Sequence, residues 1–202
     1  MTLWRGDKPL LLASASMARR RMLEAVGIPI EVRPALVDER ALQRDCASSA
    51  GADVASLLAK AKAQSVSVAA AHRVVVGADQ TLSCGKKLFN KPENVDAAFD
   101  QLMALRGRTH ELHSAVAVVQ DDRLLFAHCA SVRLTMRAFS ETFLRSYLAA
   151  LGIAATQSVG AYQIEGLGAQ LFERIDGDHF TILGLPLLPL LEFLREHGLL
   201  HD

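Results

Sequence analysis

The chain has 202 residues, 50% of them hydrophobic and 22% charged, with 22 basic residues against 22 acidic ones. That length can bury a full core in one domain or two tightly joined lobes, and the composition excludes disorder. A formal net charge of zero argues against nucleic acid as a main partner, so any charge that binds phosphate must be local.

Cys46, Cys84 and Cys129 have no metal-ligand spacing and cannot all pair, which points to a reducing cytoplasm. The stretch Lys8-Pro9-Leu10-Leu11-Leu12-Ala13-Ser14-Ala15-Ser16 imitates a signal peptide, but its apolar part is too short. Phe180 to Leu194 is leucine-rich, yet it contains Pro186, Pro189 and Glu192 and falls short of a membrane span. The expectation is a soluble cytoplasmic protein with neither membrane nor nucleic acid as partner.

In chain order, Pro9–Ala13 reads as a buried strand running into the hydroxyl-rich turn Ser14-Ala15-Ser16. A helix follows, with Met22, Leu23 and Val26 on one face and a stop at Gly27 before Pro29. Unpaired N–H groups and the helix dipole make such a strand–turn–helix junction an anion site. Arg19, Arg20 and Arg21 oppose that dipole, which makes sense if an anion such as a polyphosphate lies between, although not all three can reach one site. Ile30–Arg33 reads as a second strand, and Pro34 leads to a loop carrying Asp38-Glu39, a metal ligand or simply a polar loop. Asp53 to about Ala70 reads as a helix with Val54, Leu57, Leu58 and Ala61 facing the core; of Lys60 and Lys62, at most one faces a site beside the sheet.

Val74-Val75-Val76 is a β-branched run typical of a strand buried on both faces, broken at Gly77 before Asp79 and Gln80. Asp79 is expected just beyond the strand's carboxyl end, where open α/β sheets keep their chemistry. The alternative is an aspartate that merely caps a turn. Thr81–Ser83 continue extended to a turn at Gly85-Lys86-Lys87, and Pro92 holds Lys91 extended. Asn94 to Arg106 is an amphipathic helix closed by Gly107. His110–Val119 and Arg123–Leu134 form a hairpin turning at Asp121-Asp122, so the sheet should be mixed. His110 and His113 lack a third ligand at a sensible spacing and read as ordinary strand residues. Ser140 is a candidate N-cap for a helix to about Ala150, Leu171–Ile175 a strand, and Leu187–Glu196 a closing helix. Gly166-x-Gly168 lacks the third glycine and the βαβ context of a dinucleotide fingerprint.

Hydroxyls and an arginine at a helix start, two lysines, and carboxylates on loops and a strand end suit metal-assisted phosphoryl or nucleotidyl transfer. The cations would hold phosphates and the carboxylates Mg²⁺. The ordered set Leu11-Ala13-Ser14-Ala15-Ser16, Gly77-Ala78-Asp79-Gln80, Asn90-Lys91-Pro92, Gly160-Ala161-Tyr162, Gly166-Leu167-Gly168 and Gly184-Leu185-Pro186 resembles the Maf family of nucleoside triphosphate pyrophosphatases, once called septum formation inhibitors, nearly end to end. The resemblance implies a single Maf-like domain over residues 1–202, of mixed α/β class. Its twisted central sheet is flanked by helices and divided into two lobes with a cleft, similar to inosine triphosphatase. It implies cleavage of a nucleoside triphosphate between the α and β phosphates with a divalent metal, Mg²⁺ or alternatively Mn²⁺; a homodimer stays open.

By position, Ser14, Ser16 and Arg19 match the family's phosphate-binding turn and Glu39 an acidic site residue. Lys62, rather than Lys60, matches the helix lysine, Lys91 the lysine before proline, and Asp79 the catalytic aspartate, as general base or metal ligand. Three departures from the family pattern stand out: Ala18 replaces an arginine, Gln80 a threonine, and Glu165 an amide. They resemble the subgroup that prefers 7-methyl-GTP over dTTP and UTP. A methylated guanine is cationic, and Glu165 can pair with it or accept from its N–H edge; an ion pair with a basic neighbour is the structural alternative. The wider family's dTTP/UTP specificity and a non-hydrolysing nucleotide-sensing regulator of cell division are the competing functions.

Overall fold

The computed structural model describes residues 3–46, 48 and 50–201. The first half contains β1 (Leu10–Leu12), α1 (Met17–Ala25), β2 (Ile30–Val32), α2 (Glu39–Asp45), α3 (Gly51–Ser67), β3 (Val75–Cys84) and β4 (Lys87–Phe89). The second contains α4 (Val95–Leu105), β5 (Thr109–Gln120), β6 (Arg123–Met136), α5 (Glu141–Leu151), β7 (Phe172–Asp176), α6 (His179–Ile182) and α7 (Leu187–Glu196), with three short 3₁₀ turns between α5 and β7. The sheet order is β2-β1-β3-β5-β6-β7, with β4 added to the far end of β3. β1 pairs parallel to β2 and β3, while β3, β5, β6 and β7 run antiparallel, so the sheet is mixed as expected. No helix among the described residues is long and apolar enough to cross a membrane.

Side chains alternate along β3 and so serve two layers. Val76 and Ala78 face a core built with Leu10, Leu12, Leu23, Leu190 and Phe193, under α1 and α7. Val75 faces the opposite layer, where Ala55, Ala59 and Ala63 of α3 pack against Leu11, Ala115 and Ala117. Farther along, Leu82 enters the core of a second lobe formed by α4 and α5 with Leu112, Leu134 and Phe139. The cleft opens between these two lobes.

The helix caps read from sequence are present: Asn94 Oδ1 accepts from Ala97 N at 2.8 Å and Ser140 Oγ from Phe143 N at 3.1 Å. Four expectations need correction. Asp38 and Glu39 are not in a loop; Asp38 caps α2, accepting from Ala41 N at 2.9 Å. Leu57 and Ala61 are only half-buried, because α3 turns its alanine stripe to the sheet instead. The strand expected at Leu171 begins at Phe172, and α6 was not expected at all, since four residues carry too little periodicity to read. Finally, Asp79 lies inside β3 rather than beyond it, because pairing with β5 keeps the chain extended through Ser83.

The alanine stripe allows α3 an unusually close approach to the sheet at Gly77. A Cβ there would sit 2.2 Å from the Ala59 carbonyl oxygen and 2.6 Å from the Ala63 nitrogen, both backbone atoms that cannot yield without moving the helix. Gly77→Ala should therefore cost about 1–3 kcal/mol and lower the thermal midpoint, and it should also reduce turnover by displacing Lys62 on α3. A variant with wild-type melting temperature and activity would contradict this close packing.

Candidate active site

The site begins where β1 ends. β1 contributes two hydrogen bonds to the β3 edge, Leu11 N to the Val74 carbonyl at 3.0 Å and Ala13 N to the Val76 carbonyl at 2.8 Å, and then turns away at Ser14. The next carbonyl along that edge, Ala78, takes its hydrogen bond from Arg19 Nη1 at 2.8 Å. Thus an arginine from α1 replaces the missing strand, and Gly77 to Gln80 line an open stretch between β1 and β4. Asp79 is still past a carboxyl end, but the end is that of β1.

Arg19 is buried and its other bonds are equally structural. Nη1 also donates to Ser14 Oγ at 3.0 Å, and Nε donates to the Gly184 carbonyl at 2.8 Å. Gly184 has φ +97°, and a Cβ there would press on the guanidinium at 3.4 Å, so a glycine suits both backbone and neighbour. Burial pushes the Arg19 pKa down, opposed by the negative charges of Asp79 and Glu39. Ser16 caps α1, its Oγ facing Arg19 N at 3.5 Å.

Asp79 points to the α3 layer, where Lys62 Nζ meets it. Lys62 Nζ lies 2.5 Å from Asp79 Oδ1 and 2.8 Å from Glu39 Oε1, so one ammonium bridges both carboxylates. Burial raises the Asp79 pKa above the ordinary aspartate value, against the opposing pull of Lys62 and Arg19. The single basic residue of α3 that faces the sheet is Lys62; Lys60 is exposed. Gln80, on the opposite layer, points its amide nitrogen at Ser114 Oγ (2.9 Å) and at the carbonyls of Thr181 (3.1 Å) and Ile182 (3.0 Å).

All ten residues singled out in the sequence, Ser14, Ser16, Ala18, Arg19, Glu39, Lys62, Asp79, Gln80, Lys91 and Glu165, line one cleft of about 1140 Å³. Among the described residues these form two groups in direct contact, Ser14, Ser16 and Arg19 on one side and Glu39, Lys62 and Asp79 on the other; Lys91 and Glu165 are exposed on its walls. Glu165 makes no ion pair with any described residue. No group of three or more His, Cys, Asp or Glu side chains that could hold a metal occurs among the described residues. Two contributors escaped the sequence reading. Arg40 also lines the cleft, and Asp178, whose carboxylate accepts from Thr181 N and Oγ1 at 2.7 Å, fixes α6. The Asp178-x-x-Thr181 spacing is a capping signal that was available but sits before a very short helix.

A mixed α/β sheet whose open edge presents a buried carboxylate, a bridging lysine and an arginine defines an α/β protein with a charged ligand cleft. Residues 9–197 match the family described as Maf-like protein, and the chain belongs to that family. Its relatives include a nucleoside triphosphate pyrophosphatase of Nitrobacter hamburgensis, 54% identical over 200 residues and 99% of both chains. A 7-methyl-GTP pyrophosphatase of Rhizobium meliloti is 47% identical over 194 residues, 95% of this chain and 98% of its own. Among solved structures, the Ham1 protein of Staphylococcus aureus matches at TM-score 0.42 and 12% identity, covering 65% of this chain and 73% of that one.

His110 and His113 behave as strand residues. His113 sits between Ser83 Oγ at 2.9 Å and Ser131 Oγ at 2.7 Å, and His110 Nε2 contacts the Tyr162 hydroxyl at 2.7 Å. Burial lowers the His110 pKa to about 4 from an ordinary 6.5. The unfolded chain therefore takes up this proton first, so the stabilisation is full above pH 6.5 and is lost progressively as pH falls toward 4. A depression of that size is worth on the order of 3 kcal/mol. Urea unfolding should show stability declining across that window, with a shallower decline in His110→Gln. Parallel pH curves for the two proteins would remove His110 as the cause.

Proposed function

We propose that the protein hydrolyses a nucleoside triphosphate between its α and β phosphates, releasing a monophosphate and pyrophosphate, with 7-methyl-GTP as the preferred substrate. The observation that carries this reading is the buried Asp79 carboxylate bridged to Glu39 by Lys62 in a cleft that also holds Ser14, Ser16, Arg19 and Lys91. Such an arrangement suits a polyanion and the water that attacks it.

Two carboxylates sharing one ammonium also fit a divalent cation, because Mg²⁺ is commonly held by one or two carboxylates and completes its shell with water and substrate phosphate. Glu39 and Asp79 would hold it, and Mn²⁺ suits the same ligands. When bound, the cation supplies charge neutralisation and acidifies water.

Asp79 orients the attacking water and accepts its proton at the carboxylate. The water oxygen bonds to the α phosphorus while the bridging α–β P–O bond breaks, and the electron pair leaves with pyrophosphate. Lys62, already beside Asp79, donates to a phosphate oxygen. Arg19 keeps Nη2 for the same purpose, since its hydrogen bonds to described residues use Nε and Nη1. Ser14, Ser16 and the first N–H groups of α1 receive phosphate oxygens, and Lys91 neutralises the departing pyrophosphate.

The base preference rests on three positions. Ala18 leaves room beside α1 where an arginine would project, Gln80 shapes the wall made by α6, and Glu165 carries an unpaired carboxylate on the cleft rim. A cationic 7-methylguanine rewards that carboxylate, whereas a neutral pyrimidine does not. The name of the Rhizobium meliloti relative supports this reading.

Pyrophosphate release should be measured with Mg²⁺ on 7-methyl-GTP, GTP, dTTP and UTP. The expected order puts 7-methyl-GTP first, with Asp79→Ala slower by about 10³-fold and still folded. Glu165→Gln should lose about tenfold in kcat/KM for 7-methyl-GTP and much less for GTP. Preference for dTTP or UTP would keep the chemistry and overturn the base assignment. Intact nucleotide after prolonged incubation would leave a nucleotide-sensing regulator instead.

A further inference from the structure

Among the described residues, α2 stands apart in packing no fully buried side chain against the rest of the protein: from Glu39 to Asp45 every side chain is half-buried or exposed. The segment leading into it is equally loose, with Leu36 almost fully exposed. Ala41 and Leu42 are only half-buried, so polar contacts from the first turn carry much of the position of α2. Two ion pairs supply them. Glu39 reaches Lys62 at 2.8 Å, and Arg40 Nη2 reaches Glu93 Oε1 at 3.1 Å.

These two contacts differ in kind. Lys62 is nearly buried, whereas the Arg40 and Glu93 side chains are 80% and 77% exposed, so water and salt compete freely for the second pair. Glu93 lies two residues after Lys91, so the Arg40 contact ties α2 to the loop that carries that lysine across the cleft. Arg40 itself lines the cleft, together with Glu39, Lys62 and Lys91. A guanidinium held only by an exposed carboxylate at a cleft mouth is poised to exchange partners. A terminal phosphate offers more negative charge and a bidentate acceptor for its planar fork.

We infer that α2 is the closing element over the polyphosphate end of the cleft, and that Arg40 is the residue that grips the terminal phosphate by exchanging it for Glu93. This rests on the nucleoside triphosphate reading above and deepens it. Arg40 reads chain length: a triphosphate reaches it and a monophosphate does not. The bound polyphosphate then holds α2 in place with Glu39 kept on Lys62, a contact already made at 2.8 Å, and cleavage removes the phosphates that hold α2 shut. Product release and opening become the same event.

The test is hydrogen–deuterium exchange of residues 39–45 in the whole protein, alone, with an α,β-methylene nucleoside triphosphate, and with the corresponding monophosphate. The triphosphate analogue should slow exchange across α2 several-fold and the monophosphate should leave it as in the free protein. Arg40→Ala should lose the slowing and raise KM for the triphosphate by roughly tenfold, with an unchanged melting temperature because the side chain is exposed. Equal protection by triphosphate and monophosphate, or a wild-type KM and protection in Arg40→Ala, would overturn the assignment. Exchange reads binding alone, so it decides the role of α2 even if the turnover assay returns intact nucleotide.

Discussion

The contact on which the rest of this structure depends is the approach of α3 to β3 at Gly77. Without a side chain at that position, backbone meets backbone, and the alanines at 55, 59 and 63 keep the helix axis close along its length. One helical turn spans three to four residues. A helix seated on Gly77 through Ala59 and Ala63 therefore brings Lys62 level with Asp79, two residues farther along the strand. Packing and chemistry are thus a single arrangement. Small residues set the helix height, the height sets the reach of the lysine, and the lysine bridges Asp79 to Glu39.

That arrangement is costly for the fold. Burial raises the Asp79 pKa, which means that its ionised form is less comfortable in the protein than in water even with Lys62 and Arg19 nearby. By linkage, the protonated group contributes more to stability than the ionised one, and this contribution fades as pH rises through the folded pKa. Arg19 is held in the same tension, with burial lowering its pKa and the carboxylates opposing. A site with two such groups is the kind of place where stability is exchanged for reactivity. The protein limits the loss by giving Arg19 work that is independent of any ligand: it donates to the Ala78 carbonyl, which the departing β1 would otherwise leave bare, and to the Gly184 carbonyl after α6.

Much of this could be read from the chain, and the failures share a cause. Helices with a clear cap and apolar period, at Asn94 and Ser140, appear within a residue or so of their expected bounds because capping and periodicity are local. The Asp121-Asp122 turn is legible for the same reason, and both aspartates adopt positive φ. The extended stretch up to the Gly85 turn is legible, but the continuity of β3 through Gly77 is not. The strand continues through Asp79 because β5, some 35 residues later, pairs with it from Val75 to Ser83, and a break at Gly77 looks identical in sequence to a close approach at Gly77. Helical phase allows at most one of Lys60 and Lys62 to face the site, and the choice of Lys62 comes only from resemblance to the family. Asp38 and Glu39 could be seen as acids but not as a helix start, since a seven-residue helix without a buried face has no apolar pattern to find.

Gln80 illustrates how a position can bear on specificity without pointing at the ligand. Its amide nitrogen is engaged by Ser114 Oγ and by two carbonyls of α6, and Ser114 Oγ itself donates to the Thr181 carbonyl at 2.7 Å. A threonine at the same place is too short to span that distance. The amide therefore fixes the backbone from Thr181 onward, while Arg19 holds Gly184 three residues later. On either side of Thr181 the chain turns His179, Phe180 and Leu183 toward the cleft. In the proposed function, the substrate base meets on this side a wall whose position is set from behind, by an arginine that would also support the phosphate end. Base recognition and phosphate binding would then be joined through one guanidinium, so that a change at either end of the cleft would be felt at the other.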